Sequence, residues 1–282
     1  MPRTRIQPHR PRQRRKMRVE RSDPPMTSLL SDPLFFAAAV PAVILIGMSK
    51  GGFGGAMALM GVPLMSLVVS PVQAAAILLP ILVVMDGVSL WTWRGTFDRT
   101  TLRNTLPGGM LGIAIGWATA AIVTVGMVRL IVGIVALLFF LRWLSQKIAR
   151  SERVRTESAA TGTLWGTISG FTSFVAHAGG PPYQIYALPL RQPPPVYTGT
   201  SVIFFAVVNA VKLVPYFALG QFDTTNLAAS AALMPVAPLA TLAGAWIVRR
   251  LKPEIFYPFM YTMVLIIALK LIHDGLGDIL AA

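Results

Sequence analysis

Apolar residues run along this chain in blocks, separated by short polar or Gly/Pro-rich breaks. The first block, Leu34 to Met48, opens after Asp32-Pro33, where a proline near a helix start removes an N–H the helix would leave unpaired anyway. At ~1.5 Å per residue its fifteen residues make about 22 Å, short of the ~30 Å hydrocarbon core of a bilayer. The second block, Ala56 to Ser70, is equally short and contains Pro63. Pro71 to Leu90 is a full span carrying Asp86, followed by a polar stretch with Arg94, Asp98, Arg99 and Arg103. Segments 107–125 and 127–144 are full spans joined by a tight turn at Val125-Gly126. After the polar loop 145–160 come 161–176, a break at Ala176–Pro182, and a short run, 183–190, ending at Arg191-Gln192. Spans 198–219, 227–248 and 255–272 close the chain.

These blocks predict an all-α polytopic membrane protein with about 8–10 transmembrane segments, some of them broken or re-entrant. The chain also repeats itself. Gly54-Gly55 recurs as Gly179-Gly180, Val62-Pro63-Leu64 as Leu188-Pro189-Leu190, and Ser70-Pro71-Val72 as Pro194-Pro195-Val196. Gly95-Thr96-Phe97-Asp98 recurs as Gly220-Gln221-Phe222-Asp223, and Ala114-Ile115-Gly116-Trp117 as Ala243-Gly244-Ala245-Trp246. The shifts lie between 124 and 129 residues and keep their order, so the halves are a duplication. Expected units are a basic disordered tail, 1–26, a first repeat bundle, 27–144, a cytoplasmic linker, 145–160, and a second repeat bundle, 161–282.

Composition narrows the class. The chain is 54% hydrophobic and only 13% charged, against about a quarter charged in a soluble domain. It has no cysteine, which excludes disulfides and thiolate chemistry, and its three histidines, at 9, 177 and 273, are too scattered for a metal site. No cofactor and no catalytic residue set is expected. Of the net charge of +14, half lies in residues 1–26, where nine Lys/Arg face only Glu20 and Asp23. That tail has almost nothing to bury, so disorder is expected there and nucleic-acid binding is not. It is no signal peptide, and Met17 and Met26 are alternative starts.

If each short run spans, each half crosses five times and the halves are inverted repeats. Arg94, Arg99, Arg103, Arg142, Lys147, Arg150, Arg153, Arg155, Arg191, Arg249, Arg250 and Lys252 then share one face, against Arg129 and Lys270 on the other. That bias marks the first face as cytoplasmic. This count puts residue 1 outside, whereas re-entrant runs would put the tail inside and strand Arg249, Arg250 and Lys252 outside. Inverted repeats starting at Met26 are the expectation.

Candidate chemistry concentrates at the two breaks. Gly47-Met48-Ser49-Lys50-Gly51-Gly52-Phe53-Gly54-Gly55 places a lysine, costly at membrane depth, among glycines that break a helix and bare its N–H groups. Bared N–H groups and an ammonium suit an anion. The alternative is a surface loop with Lys50 snorkelling and the glycines allowing close packing. Lys50, Gly51, Gly52, Gly54 and Gly55 are therefore candidate ligands, with Gly179 and Gly180 from the second break. Asn209 and Lys212 join them, since they share a helical face and Lys212 lies too far inside its span to snorkel easily. Asp86 and His177 are candidate coupling groups; Asp86 could instead pair with Lys50 or Lys212. Thr172, Ser173, Tyr183 and Gln184 flank the second break with neutral donors. Short, Gly/Pro-interrupted segments at matching places in duplicated halves are the pattern of secondary transporters, with cargo bound near the midplane between them.

The nine-residue glycine stretch, the Gly179-Gly180-Pro181-Pro182 counterpart and the duplication resemble the TauE/SafE family, sulfite and organosulfur anion exporters also called the toluene sulfonate uptake permease family. The resemblance covers about 30–275. It implies transport of sulfite, sulfoacetate or a related sulfonate across the inner membrane of a bacterium, driven by protons or membrane potential. This chain differs from the usual glycine-rich first motif in carrying Lys50 within it. Alternatives are transport of another small anion, such as a carboxylate, and an intramembrane enzyme using Asp86 or His177, for which no His-Glu-x-x-His or Gly-x-Ser-x-Gly motif is present. Expected partners are a small inorganic or organic anion, the lipid bilayer and, since chains of this size often pair in membranes, a second copy as a homodimer.

Overall fold

A computed structural model describes residues 30, 32–53, 60–69, 71–119, 122–150, 154–218 and 224–280. The basic tail, Gly54, Gly55 and the Gly220–Asp223 half of one repeat match lie outside the described residues. The described residues form helices and no strand. In chain order the helices are α1 (Pro33–Gly52), α2 (Gly61–Met65), α3 (Pro71–Thr92), α4 (Arg99–Thr119), α5 (Val125–Ile148), α6 (Ala159–Ala176), α7 (Gly180–Ala187), α8 (Pro194–Ala218), α9 (Thr224–Leu233), α10 (Val236–Val248) and α11 (Pro253–Leu280). A 3-10 turn, Leu188–Leu190, follows α7.

Three boundaries differ from the sequence reading, each for a local reason. The polar stretch before residue 107 is the first two turns of α4 rather than a loop. Asp98 caps it by accepting from Thr101 N at 2.6 Å, and Thr101, Asn104 and Thr105 are buried. The turn before α5 falls ahead of Val125, because the Thr124 side chain accepts from Met127 N and starts the helix there. The single span expected at 227–248 is two helices bent by 47° at Met234-Pro235, where proline cannot donate to the ladder.

Among the described residues four helices are long and apolar enough to cross a membrane, residues Pro33–Gly52, Val125–Ile148, Pro194–Val214 and Pro253–Leu280; the α9–α10 pair makes a fifth if counted as one bent span. α4 and α6 are about as long but fall short in apolarity because threonines, serines and glycines make up much of their sequence. Their hydroxyls bond back to their own backbones, Thr105 to Thr101 O and Thr172 to Ile168 O, each at 2.8 Å. Each also presents a ridge of glycines at every fourth residue, Gly108-Gly112-Gly116 and Gly162-Gly166-Gly170, so the two backbones touch.

Packing is reciprocal between the halves. α4 of the first half lies on α6 of the second, running parallel: Gly108 meets Thr163 and Gly116 meets Phe174. In the same way α10 lies on α1, with Ala240 at Gly47 and Gly244 at Gly52. Equivalent helices also meet each other. α5 and α11 run antiparallel, joined by Arg129–Asp278 at one end and by Trp143 stacked on Tyr261, centroids 4.3 Å apart, nearer the other. α3 and α8 are antiparallel as well, since Asp86 meets Asn209 while Thr96 meets Gly199.

The connection between halves is held at Glu157. Its carboxylate accepts from Thr101 Oγ1 at 2.5 Å, and Thr101 in turn accepts from Gln192. Desolvation, with Asp98 nearby and against the Thr101 hydrogen bond, pushes the Glu157 carboxyl above its ordinary range. The charged form is therefore disfavoured in the fold, a cost that sets in as pH rises through the ordinary carboxyl range and is absent below it. Glu157→Gln keeps an acceptor for Thr101 without that charge. Its melting temperature in detergent is expected to match or exceed wild type at pH 7, with the difference vanishing in acid. A variant less stable than wild type at pH 7 would refute this.

Candidate functional site

The first break is a capped helix end. α1 runs through Gly52, so Lys50 sits in its last turn rather than in a bared loop. The last four carbonyls of a helix lack intrahelical donors, and here each finds one. Phe53 N donates to Ser49 O at 2.9 Å, Ser89 Oγ to Lys50 O at 3.4 Å, Trp93 Nε1 to Gly51 O at 2.6 Å and Thr198 Oγ1 to Gly52 O at 2.8 Å. Gly51 and Gly52 have their bare faces against α10: a Cβ on Gly51 would stand 1.8 Å from Thr241 O, and one on Gly52 2.3 Å from Gly244 O. Helix contact accounts for both glycines, so the expectation that they bare N–H groups to a ligand is corrected.

Lys50 is 8% exposed, and its ammonium donates to Asp86 Oδ1 in a buried ion pair. The other oxygen, Oδ2, accepts from Asn209 Nδ2 at 2.9 Å. Asp86 thus ties α1, α3 and α8 at one point, and of the two partners considered for it the structure selects Lys50.

Lys212 has a different environment. It is 7% exposed, and its ammonium donates to Ser173 Oγ at 3.0 Å and Ser173 O at 3.3 Å. Ser173 lies in the last turn of α6, where a cation is favoured by the helix dipole. Among the described residues no carboxylate lies within ion-pair distance of Lys212. Asp86 is thus engaged by Lys50 and Asn209, and Lys212 by Ser173.

The second break turns at His177, which closes α6 in the left-handed region at φ 53°. Ala178 N donates to Thr172 O at 3.0 Å and Ser169 Oγ to Gly179 O at 2.7 Å, which fixes the loop. Gly179 packs on Ser173 and Ser169, and Gly180 begins α7. Pro181 and Pro182 follow without N–H groups, so the second break offers few backbone donors.

Asp86, His177, Asn209 and Lys212 line one cavity of about 30 Å³, walled on the apolar side by Leu79, Leu82, Val83 and Leu213. The structure therefore brings together four of the sequence candidates, with Lys50 behind Asp86, and places Gly51, Gly52 and Gly179 in packing roles. Tyr183 and Gln184 do not reach this cavity; both are buried, and among the described residues neither the tyrosine hydroxyl nor the glutamine amide finds a hydrogen-bond partner. Ser89, Trp93 and Thr198 went unsuspected because their contribution is to a distant helix end, which no local spacing announces. Among the described residues no three of His, Asp or Glu cluster closely enough to hold a metal ion.

Long apolar helices, a duplicated packing scheme and a buried cation at the meeting point of equivalent helices define a multi-pass membrane protein of the transporter class. The chain belongs to the sulfite exporter TauE/SafE family, whose sequence model matches residues 39–271. Neither the curated proteins nor the solved structures compared with it give a match. The family implies transport of sulfite or related anions.

Proposed function

We propose that this protein is a secondary transporter of a small sulfur-containing anion, sulfite, sulfoacetate or a related sulfonate, in the cytoplasmic membrane of a bacterium. The anion is held by Lys212, with Asn209 and His177 beside it, where α3 and α8 meet. The observation that carries this reading is the contrast between two buried lysines: Lys50 is paired with Asp86, while among the described residues Lys212 donates to Ser173 and meets no carboxylate. An uncompensated ammonium inside a membrane bundle is costly, and a transported anion offsets that cost each time it binds.

On this reading the halves are inverted repeats. The antiparallel packing of α3 on α8 and of α5 on α11 is what a two-fold axis in the membrane plane would generate. A shift of 125 carries Asp86 to Val211, next to Lys212, so the site lies close to that axis. The cavity there measures about 30 Å³. Alternating access, driven by a coupled proton or the membrane potential, would carry the cargo past it. A second copy of the chain as a dimer partner belongs to the same proposal. Transport of another small anion, such as a carboxylate, is the second reading, because an ammonium and an amide recognise charge and oxygen rather than sulfur.

The test is flux into liposomes carrying purified protein, with sulfite, sulfoacetate, acetate and chloride offered with and without a pH gradient. Wild type is expected to show saturable flux of a sulfur anion. Lys212→Gln, still inserted and monodisperse, is expected to lose at least tenfold. Wild-type flux in Lys212→Gln would remove Lys212 from the site, and saturable flux of acetate alone would replace the cargo.

A further inference from the structure

A second concave site lies away from the first. It is an open cleft of about 250 Å³ between the C-terminal end of α5 and the N-terminal end of α11, lined by Trp143, Lys147, Arg191, Pro253, Glu254 and Pro258. Both cations are held against aromatic faces: Lys147 Nζ stands 4.9 Å from the Trp143 ring centre, and the Arg191 guanidinium carbon 4.8 Å from that of Tyr257. Two cations and one carboxylate, Glu254, line the cleft, and the first turn of α11 adds its partial positive end.

The backbone adds an independent observation. Arg191 closes the 3-10 turn with φ 52° and ψ 35°, in the left-handed region. A residue with a Cβ is strained there, and glycine or asparagine would adopt the conformation more readily. Backbone strain held at a cationic cleft points toward a role for the arginine side chain.

The surroundings say what the cleft would meet. Leu141 and Ile148 on α5 and Ile255 on α11 are exposed at 48%, 75% and 58%, on helices apolar enough to cross the bilayer. These exposed apolar side chains stand at the same end of the bundle as the cleft. A ligand there is tethered by its own hydrocarbon, and its charge lies at headgroup level. Basic pockets between transmembrane helices suit anionic headgroups.

We propose that this cleft holds the phosphate headgroup of an anionic phospholipid, clamped by Lys147 and Arg191, with the acyl chains along the exposed apolar faces of α5 and α11. No chemistry is asked of the lipid; it ties α5 to α11 and so fastens the two halves together.

Full-length protein in neutral detergent is melted with added phosphatidylglycerol, phosphatidylcholine or inorganic phosphate. Phosphatidylglycerol well above its dissociation constant is expected to raise the melting temperature by about 5 °C, and the other two to leave it unchanged. Lys147→Gln and Arg191→Asn, the latter at ease in the left-handed region, are expected to lose most of that rise. An equal rise with phosphatidylcholine, an equal rise with free phosphate, or a full rise in both variants would each overturn the proposal. Should the variants not fold, native mass spectrometry of wild type from an equimolar mixture of the two lipids decides. Preferential retention of phosphatidylglycerol supports the site, and equal retention overturns it.

Discussion

Asp86→Ala is expected to be among the most damaging single substitutions in the chain, because it leaves the Lys50 ammonium buried with its carboxylate gone. Removing one partner of a buried ion pair costs about 3–5 kcal/mol, whereas replacing both with apolar groups of similar size is often neutral. The Asn209 amide would lose its acceptor as well. Lys50→Met combined with Asp86→Leu should therefore recover most of the stability that Asp86→Ala forfeits. Thermal melting of the three proteins in the same detergent checks this, read beside the yield of monodisperse material. If the double variant melts as low as Asp86→Ala, the damage comes from lost packing at α3 and the pairing argument fails.

The second large effect is expected at Gly51. A methyl there would stand 1.8 Å from Thr241 O and 2.7 Å from its carbonyl carbon, both backbone atoms of α10 that no rotamer change can move aside. Overpacking typically costs 1–3 kcal/mol, and a clash with backbone should reach about 3 kcal/mol or prevent assembly of α1 on α10. Gly87, within α3, supplies the control: a Cβ there has nothing within 4 Å. Gly87→Ala should be neutral or stabilising by up to about 1 kcal/mol. Melting temperatures in opposite directions bear out the packing role of Gly51; a folded Gly51→Ala protein as stable as wild type would contradict the α1–α10 contact.

Much of the fold was legible because hydrocarbon imposes long apolar runs on any chain that crosses it. The boundaries that were not legible share a cause. At α4, Arg99 and Arg103 suggested a loop, but capping by Asp98 and burial of Thr101 and Asn104 make helix, and those contacts come from distant parts of the chain. The site was half legible. Asp86, His177, Asn209 and Lys212 stood out because charge and polarity are rare in apolar spans, and they do converge. The glycines of the first break were ambiguous between baring a backbone and admitting a neighbour; sequence cannot separate these, since both need the absence of a Cβ. Which lysine Asp86 would neutralise was equally undetermined, since it depends on how α1 and α8 approach α3.

The reciprocal packing bears on how such a chain can be assembled. The glycine face of α1 closes on α10 and that of α4 on α6, so each half carries surfaces that only the other half covers. One half synthesised alone would leave both faces open to lipid, with the carbonyl of Gly52 deprived of the Thr198 hydroxyl. A gene cut within the linker should therefore work only when both fragments are made together. If the halves are the inverted repeats proposed above, the nearest remedy for one half would be a second copy of itself inserted upside down, and a single-half ancestor would have needed to enter the membrane in both orientations.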